Sequence, residues 1–292
     1  MSLPSPRSIP NILSIAGTDP TGGAGIQADL KSFAAHRGYG MCVVTALVAQ
    51  NTQGVRGIHL PPASFLRAQL DAVSDDVALD AIKIGMLGTE EIITTVAEWL
   101  DALGLSGDHD DAGIRPVLVL DPVMVATSGD RLLDAAAESA LIHFLHRADL
   151  ITPNVPELAL LAGTEPATDP AGLISQARTV ADAHQVVVLA KGGHLDDASA
   201  KEFVVDTLVY PGQSGARQEE EQFLSPRIHT QNTHGTGCSV SAALATLAAR
   251  GHSWSTALPV VKDWMTAALQ DSERLDVGKG HGPIQHFAQL WR

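Results

Sequence analysis

What most constrains this chain is a repeated alternation of short β-branched apolar runs with longer stretches whose apolar residues recur at helical spacing. Residues 11–17 (NILSIAG), 41–48 (MCVVTALV), 80–86 (DAIKIGM), 117–123 (VLVLDPV), 149–154 (DLITPN) and 185–193 (QVVVLAKGG) read as buried strands. Between them, 22–38, 64–73, 90–103, 133–148, 155–163 and 171–184 read as helices, the first with Ile26, Leu30, Phe33 and Ala34 on one face. Residues 203–212 and their continuation to Ile228 read as a hairpin, and 237–250 and 254–269 as Ala-rich helices. Strands alternating with helices imply parallel pairing through right-handed crossovers, with helices on both sheet faces. The fold class expected is a three-layer α/β/α sandwich around a mostly parallel sheet. No boundary or fixed repeat divides the pattern, so one domain over 1–292 is expected, with 1–10 a flexible lead-in.

Charge and composition exclude several classes. Thirty-three acidic residues against 19 basic ones give −14, which argues against a nucleic-acid partner. No apolar run approaches the ~18 residues of a membrane span, and the N-terminus carries no signal-peptide pattern. Two cysteines in 292 residues form no disulfide framework and point to a reducing cytoplasm. The polar stretches 104–115, 195–202 and 213–222 are expected as exposed loops, the acidic run 218–222 as a solvated face.

In open α/β sheets, ligands bind beyond the carboxyl ends of the strands. After the first strand comes Gly17-Thr18-Asp19-Pro20-Thr21-Gly22-Gly23-Ala24-Gly25. Its glycines permit close backbone approach, with helix N–H groups pointing at a ligand, or simply make a tight loop. Gly23-x-Gly25-x-x-Ala28 also fits the loose dinucleotide fingerprint, yet residues 41–53 hold no acid to take ribose hydroxyls. No phosphate loop of the Walker type is present. The better anion site is Asn232-Thr233-His234-Gly235-Thr236-Gly237-Cys238. There, amides from Gly235 to Cys238 would form a nest at a helix start. The same placement is expected to lower the Cys238 thiol pKa, unless Cys238 is simply a small buried residue. Cys42, inside an apolar strand, reads as core.

That loop resembles the phosphate-transfer signature of the ribokinase-like superfamily. Cys at its last position, where most members carry Asp, is similar to the hydroxymethylpyrimidine/phosphomethylpyrimidine kinases of thiamine synthesis. The resemblance extends through Ala16–Pro20 and Gly22–Lys31, then Thr45–Thr52, Lys83–Leu87, Asp121–Met124, Thr152–Asn154 and Lys191–His194. It implies a pyrimidine pocket at Gly17, Ala24, Asp29, Val48, Gln50, Met86, Val123 and Cys238. It also implies an anion hole at Gly235, Thr236, Gly237 and Cys238, with Cys238 accepting the alcohol proton. Asn154, Glu157 and Lys191 would form an ATP–Mg²⁺ phosphate network, with no direct protein ligand to the metal assigned.

The chemistry of that set is coherent. A carboxylate (Asp29) and a carboxamide (Gln50) match the polar edge of an aminopyrimidine, and Met86 and the valines supply apolar walls. Taken alone, Asp29 is also a helix-surface carboxylate, Gln50 a strand-end polar residue and Met86 core. Likewise Glu157 is a capping residue and Lys191 a surface lysine. The expected protein is a cytoplasmic homodimeric kinase using ATP and Mg²⁺ on a small pyrimidine. A pyridoxal kinase of the same superfamily is the alternative.

Overall fold

The structure, a computed structural model, describes residues 7–107, 115–124, 133–195, 202–212 and 219–291. Its strands are β1 (Asn11–Ala16), β2 (Tyr39–Val44), β3 (Leu47–Asn51), β4 (Gly54–His59), β5 (Ala81–Ile84), β6 (Val117–Leu120), β7 (Leu150–Ile151), β8 (Val187–Lys191), β9 (Phe203–Val209) and β10 (Glu220–Pro226). Its helices are α1 (Gly25–Ala35), α2 (Ala63–Ser74), α3 (Glu90–Ala102), α4 (Ala135–Phe144), α5 (Val155–Ala162), α6 (Pro170–His184), α7 (Thr236–Ala249) and α8 (Trp254–Gln270). Eight strands form one sheet in the order β10-β9-β8-β7-β6-β5-β1-β2. The six from β8 to β2 pair in parallel, while β9 and β10 extend the sheet antiparallel.

The pleat of the strands builds two cores. Ile12, Ala81, Val119, Leu150, Leu189 and Leu208 face α1, α7 and α8. Their neighbours Leu13, Ile82, Leu118, Ile151, Val188 and Val209 face α2 to α6. Strands buried on both faces need continuous apolar sequence, which is why these runs do not alternate with polar residues. Small side chains (Ala242, Ala243 and Ala245, all fully buried) let α7 lie directly on β5 and β6. Its N-terminus therefore stands at the carboxyl edge of the central strands.

Two expectations need correcting. The run 41–48 is not one strand. Thr45 and Ala46 break it, and the second half turns away as β3 of a separate two-stranded hairpin with β4. The sequence 54–59, not singled out as a strand, forms β4. Of the segment 1–10, residues 1–6 lie outside the described residues, whereas Arg7 pairs with Asp80 at 2.7 Å. The central parts of the expected loops, at 108–114, 196–201 and 213–218, also lie outside the described residues. In the acidic run, Glu219 and Glu220 pair with Arg178.

Candidate active site

The residues singled out at strand ends converge on one edge of the sheet. The chain leaves β1 at Gly17, where a Cβ would lie 2.8 Å from the Met86 Cε. Met86 follows β5, and its carbonyl accepts the Thr45 hydroxyl at 2.6 Å. The Val48 amide donates to Thr18 Oγ1 at 3.0 Å, and the Thr18 amide to the Ala46 carbonyl at 2.9 Å. Those bonds hold the hairpin against the loop before α1. The pairing skips Arg56 of β4 between Ala49 and Gln50, so Gln50 stays paired with Val55 beyond the irregularity, and its side chain lies near enough to Asp19 to help hold that carboxylate ionised. Gly17, Ala24, Val48, Gln50 and Met86 thus come together. Val123 stands two residues beyond Asp121 on the same edge, half-buried.

The glycine loop does not present its amides to a ligand, as its sequence suggested. Asp19, fully buried, takes them: Gly23 and Ala24 donate to Oδ2 at 2.9 and 2.8 Å. The Thr21 amide and hydroxyl donate to Oδ1 at 2.9 and 2.7 Å. The His234 Nε2 lies 2.9 Å from Oδ2. Burial alone would raise the Asp19 pKa, but bonds from His234, Thr21 and Gln50 hold it well below the carboxylate range.

Asp29 is buried beneath this loop, with no exposed surface. The Ser14 hydroxyl donates to it at 2.6 Å and the Lys83 Nζ at 2.9 Å. Burial raises the Asp29 pKa against the pull of Lys83. On Lys83 burial acts downward, but Asp29, Cys238 and Asp121 outweigh it and raise the value. Lys83 was missed as a site residue. Its signal was a lone charge inside an apolar strand, which must be paired if buried.

Opposite lies the helix start. Gly235 caps α7 in the left-handed region at φ 83°. A side chain there would collide with the Gly23 carbonyl, so only glycine permits these two loops to touch. The Thr236 amide reaches back to the Thr233 carbonyl at 3.3 Å and the Ser239 amide to the Gly235 carbonyl at 2.9 Å. Among the described residues the amides of Gly237 and Cys238 find no backbone partner, leaving a helix N-terminus that can receive an anion. Cys238 corrects an expectation. Burial pushes its thiol up to about 11, with Asp29 and Asp121 adding to the shift and Lys83 and the Gly25 amide opposing it. The thiol is protonated near neutral pH, and the helix start does not override its surroundings.

Beside Gly237 stands a charged cluster. A Cβ at Gly237 would lie 3.2 Å from the Lys191 Nζ and 3.5 Å from Asp121 Oδ2. Lys191 pairs with Asp121 at 3.2 Å, and the Thr152 hydroxyl donates to the same carboxylate at 2.8 Å. Burial lowers the Lys191 pKa, but Asp121 and Glu157 outweigh it and raise the value. Asn154 and Glu157 form a reciprocal capping box at the start of α5, both bonds 2.9 Å. Glu157 is 3% exposed. Burial pushes its carboxyl up to about 7, with Lys191 pulling down and Asp121 pushing up. A recess of about 580 Å³, lined by His229, Thr230, Gln231, Asn232 and Glu273, adjoins the loop leading to Gly235.

An open, mostly parallel sheet with a glycine-framed helix start at its carboxyl edge defines an α/β protein able to receive an anionic ligand there. A family model for phosphomethylpyrimidine kinase matches residues 19–285. The chain belongs to that family. It is 51% identical over 281 residues to a thiamine biosynthesis multifunctional protein of Corynebacterium glutamicum, covering 96% of this chain and 34% of that one. It therefore spans about a third of the length of that relative. Against the hydroxymethylpyrimidine/phosphomethylpyrimidine kinase of Salmonella typhimurium it is 45% identical, covering 96% of this chain and 98% of the other. The ADP complex of Bacillus subtilis pyridoxal kinase superposes with a TM-score of 0.80 at 31% identity, over 98% of this chain and 100% of that one.

Proposed function

We propose that this chain transfers the γ-phosphoryl group of ATP to the hydroxymethyl oxygen of 4-amino-5-hydroxymethyl-2-methylpyrimidine, and then a second phosphoryl group to the monophosphate. The observation that carries this reading is the contact between the Gly17–Gly25 loop and the Gly235–Cys238 helix start. It sets the loop that packs on Met86 against a helix start where two amides have no backbone partner among the described residues. The pyridoxal kinase reading shares the fold, but the family match and the Salmonella relative favour the pyrimidine.

In this reading Gln50 bonds the edge of the aminopyrimidine, and Gly17, Ala24, Val48, Met86 and Val123 shape its pocket. Asp29, paired with Lys83, supports that pocket from below. The amides of Gly237 and Cys238, with Lys191, hold the migrating phosphoryl group where charge develops. In its thiolate form, the minor species near neutral pH, Cys238 takes the alcohol proton in the first step and becomes the thiol. The second acceptor is a phosphate oxygen, already largely ionised at neutral pH because its second pKa is about 6. Mg²⁺ arriving with the nucleotide would neutralise phosphate charge, and the carboxylates of Asp121 and Glu157 fit its preference for a few hard oxygen donors. Free Cys42 and Cys238 accord with a cytoplasmic setting. Leu47 and Ile58, about half exposed on the hairpin, offer an apolar face for a homodimer.

ADP release with hydroxymethylpyrimidine, its monophosphate and pyridoxal tests the reading. Turnover of both pyrimidines well above pyridoxal is expected. Turnover of pyridoxal alone would overturn it. As a control on the pocket, Gln50→Ala should weaken pyrimidine binding by about one to two orders of magnitude in calorimetric titration, leaving ATP binding unchanged.

A further inference from the structure

The segment after α8 touches each part of the proposed site in turn. The amides of Lys279 and Gly280 donate to Thr52 Oγ1 at 3.2 and 3.1 Å, and that of His281 to the Thr52 carbonyl at 3.0 Å. Thr52 lies at the turn of the hairpin that carries Val48 and Gln50. The Gly282 carbonyl then accepts the His234 amide at 3.1 Å. Pro283 packs where a Cβ on Gly23 would lie, 3.1 Å away. Finally, His286 Nε2 meets Ser239 Oγ at 2.9 Å, in the first turn of α7. A side chain on Gly280 would collide with the Thr52 backbone, so close passage of the strap needs glycine there, whereas one on Gly282 would meet only the end of the Asn232 side chain.

His234 is where these connections meet. Its backbone is held by the strap, and its ring holds Asp19, which in turn binds the amides of Gly23 and Ala24. We propose that Asp19, His234 and the strap 278–286 form a positioning clamp that fixes the acceptor hairpin and glycine loop against the anion-binding helix start. None of these groups is a catalytic residue; they set the separation between acceptor oxygen and phosphoryl group. The inference rests on the kinase reading above. Phosphoryl transfer depends almost entirely on positioning and electrostatics, and a displacement of about 1 Å costs about 10²-fold in rate.

The test compares His234→Ala, His234→Gln and Thr52→Val with the wild-type chain. His234→Ala should lower kcat about 10- to 100-fold on both pyrimidine acceptors while KM changes little. His234→Gln, whose amide nitrogen can reach Asp19, should recover most of that loss. Thr52→Val should lower kcat in the same direction. Thermal melting identifies any loss due to unfolding. Backbone hydrogen exchange gives a readout independent of substrate: His234→Ala should speed exchange in residues 22–25 as well as in 233–239. Unchanged kcat with raised KM, a Gln variant no better than Ala, or faster exchange confined to 233–239 would each overturn the clamp. A wild-type chain inactive on pyrimidines would remove the kinase reading, and the exchange result would still decide the clamp.

Discussion

At Cys238 opposing effects act on one thiol. The helix start and Lys83 favour the thiolate; burial, Asp29 and Asp121 oppose it and prevail, pushing the thiol up to about 11. If this thiol takes the alcohol proton, the reactive thiolate is scarce at neutral pH and grows tenfold per pH unit. Single-turnover phosphorylation of the alcohol acceptor should therefore rise about tenfold per unit between about pH 7 and about pH 9. The monophosphate acceptor, with a second pKa of about 6, should show no such slope. Cys238→Ala should abolish the slope on the alcohol; an unchanged slope would assign the proton to another group. Asp29 supports a second residue-scale prediction. It and Lys83 are both fully buried, 2.9 Å apart, so Asp29→Leu leaves an uncompensated ammonium. Urea denaturation should show a loss of about 3–5 kcal/mol, much of it recovered in Asp29→Leu/Lys83→Met.

Elements decide what their glycines do. Gly235 and Gly237 stand two residues apart and look equivalent in the sequence, yet only Gly235 has positive φ, 83°. Gly235→Ala forces a Cβ into the Gly23 carbonyl. It should lower the melting temperature and abolish turnover together, through left-handed strain and displacement of the α7 start. Gly237→Ala instead adds a methyl 3.2 Å from the Lys191 Nζ. Its melting temperature should stay near that of the wild type while turnover falls, because the methyl occupies the approach to Lys191 and the free amides. Equal thermal losses in the two variants would contradict this division. The hairpin makes a related point. Residues 41–48 carry one unbroken strand propensity, but Thr45 bonds the Met86 carbonyl and Ala46 accepts the Thr18 amide. The Thr18 amide takes the Ala46 carbonyl out of any continuing ladder, and the Thr45 hydroxyl anchors the break.

Across the whole molecule, buried charge at the carboxyl edge links stability to pH. Glu157 titrates near 7 when folded, against an ordinary value of 4.5. Between those values the folded chain holds a proton that the unfolded chain has released. This group's contribution is therefore full below pH 4.5 and is lost as pH rises through about 7. Glu157→Gln keeps the capping oxygen and removes the titration. It should gain about 1–3 kcal/mol relative to wild type between about pH 5 and about pH 8, read from urea midpoints. A constant difference across that range would refute the assignment.

The order of strands and helices was legible in the sequence because burial periodicity is a local property: each element's apolar pattern follows from its own geometry. The resemblance, carried by short blocks at strand ends, marked Gly17, Gln50, Met86, Lys191 and the 235–238 loop for the same reason, since each block is contiguous. Lys83 and Asp121 lay inside those blocks and stood out only as charges beside apolar residues. What tertiary structure alone decided is pairing between distant segments. Asp19 meets His234 across 215 residues, Thr52 meets Gly280 across 228, and Lys83 meets Asp29 across 54. Such contacts leave no period and no local spacing. They also govern the chemistry, because the protonation of Cys238 depends on Lys83, Asp29 and Asp121, charges that only folding brings close to it.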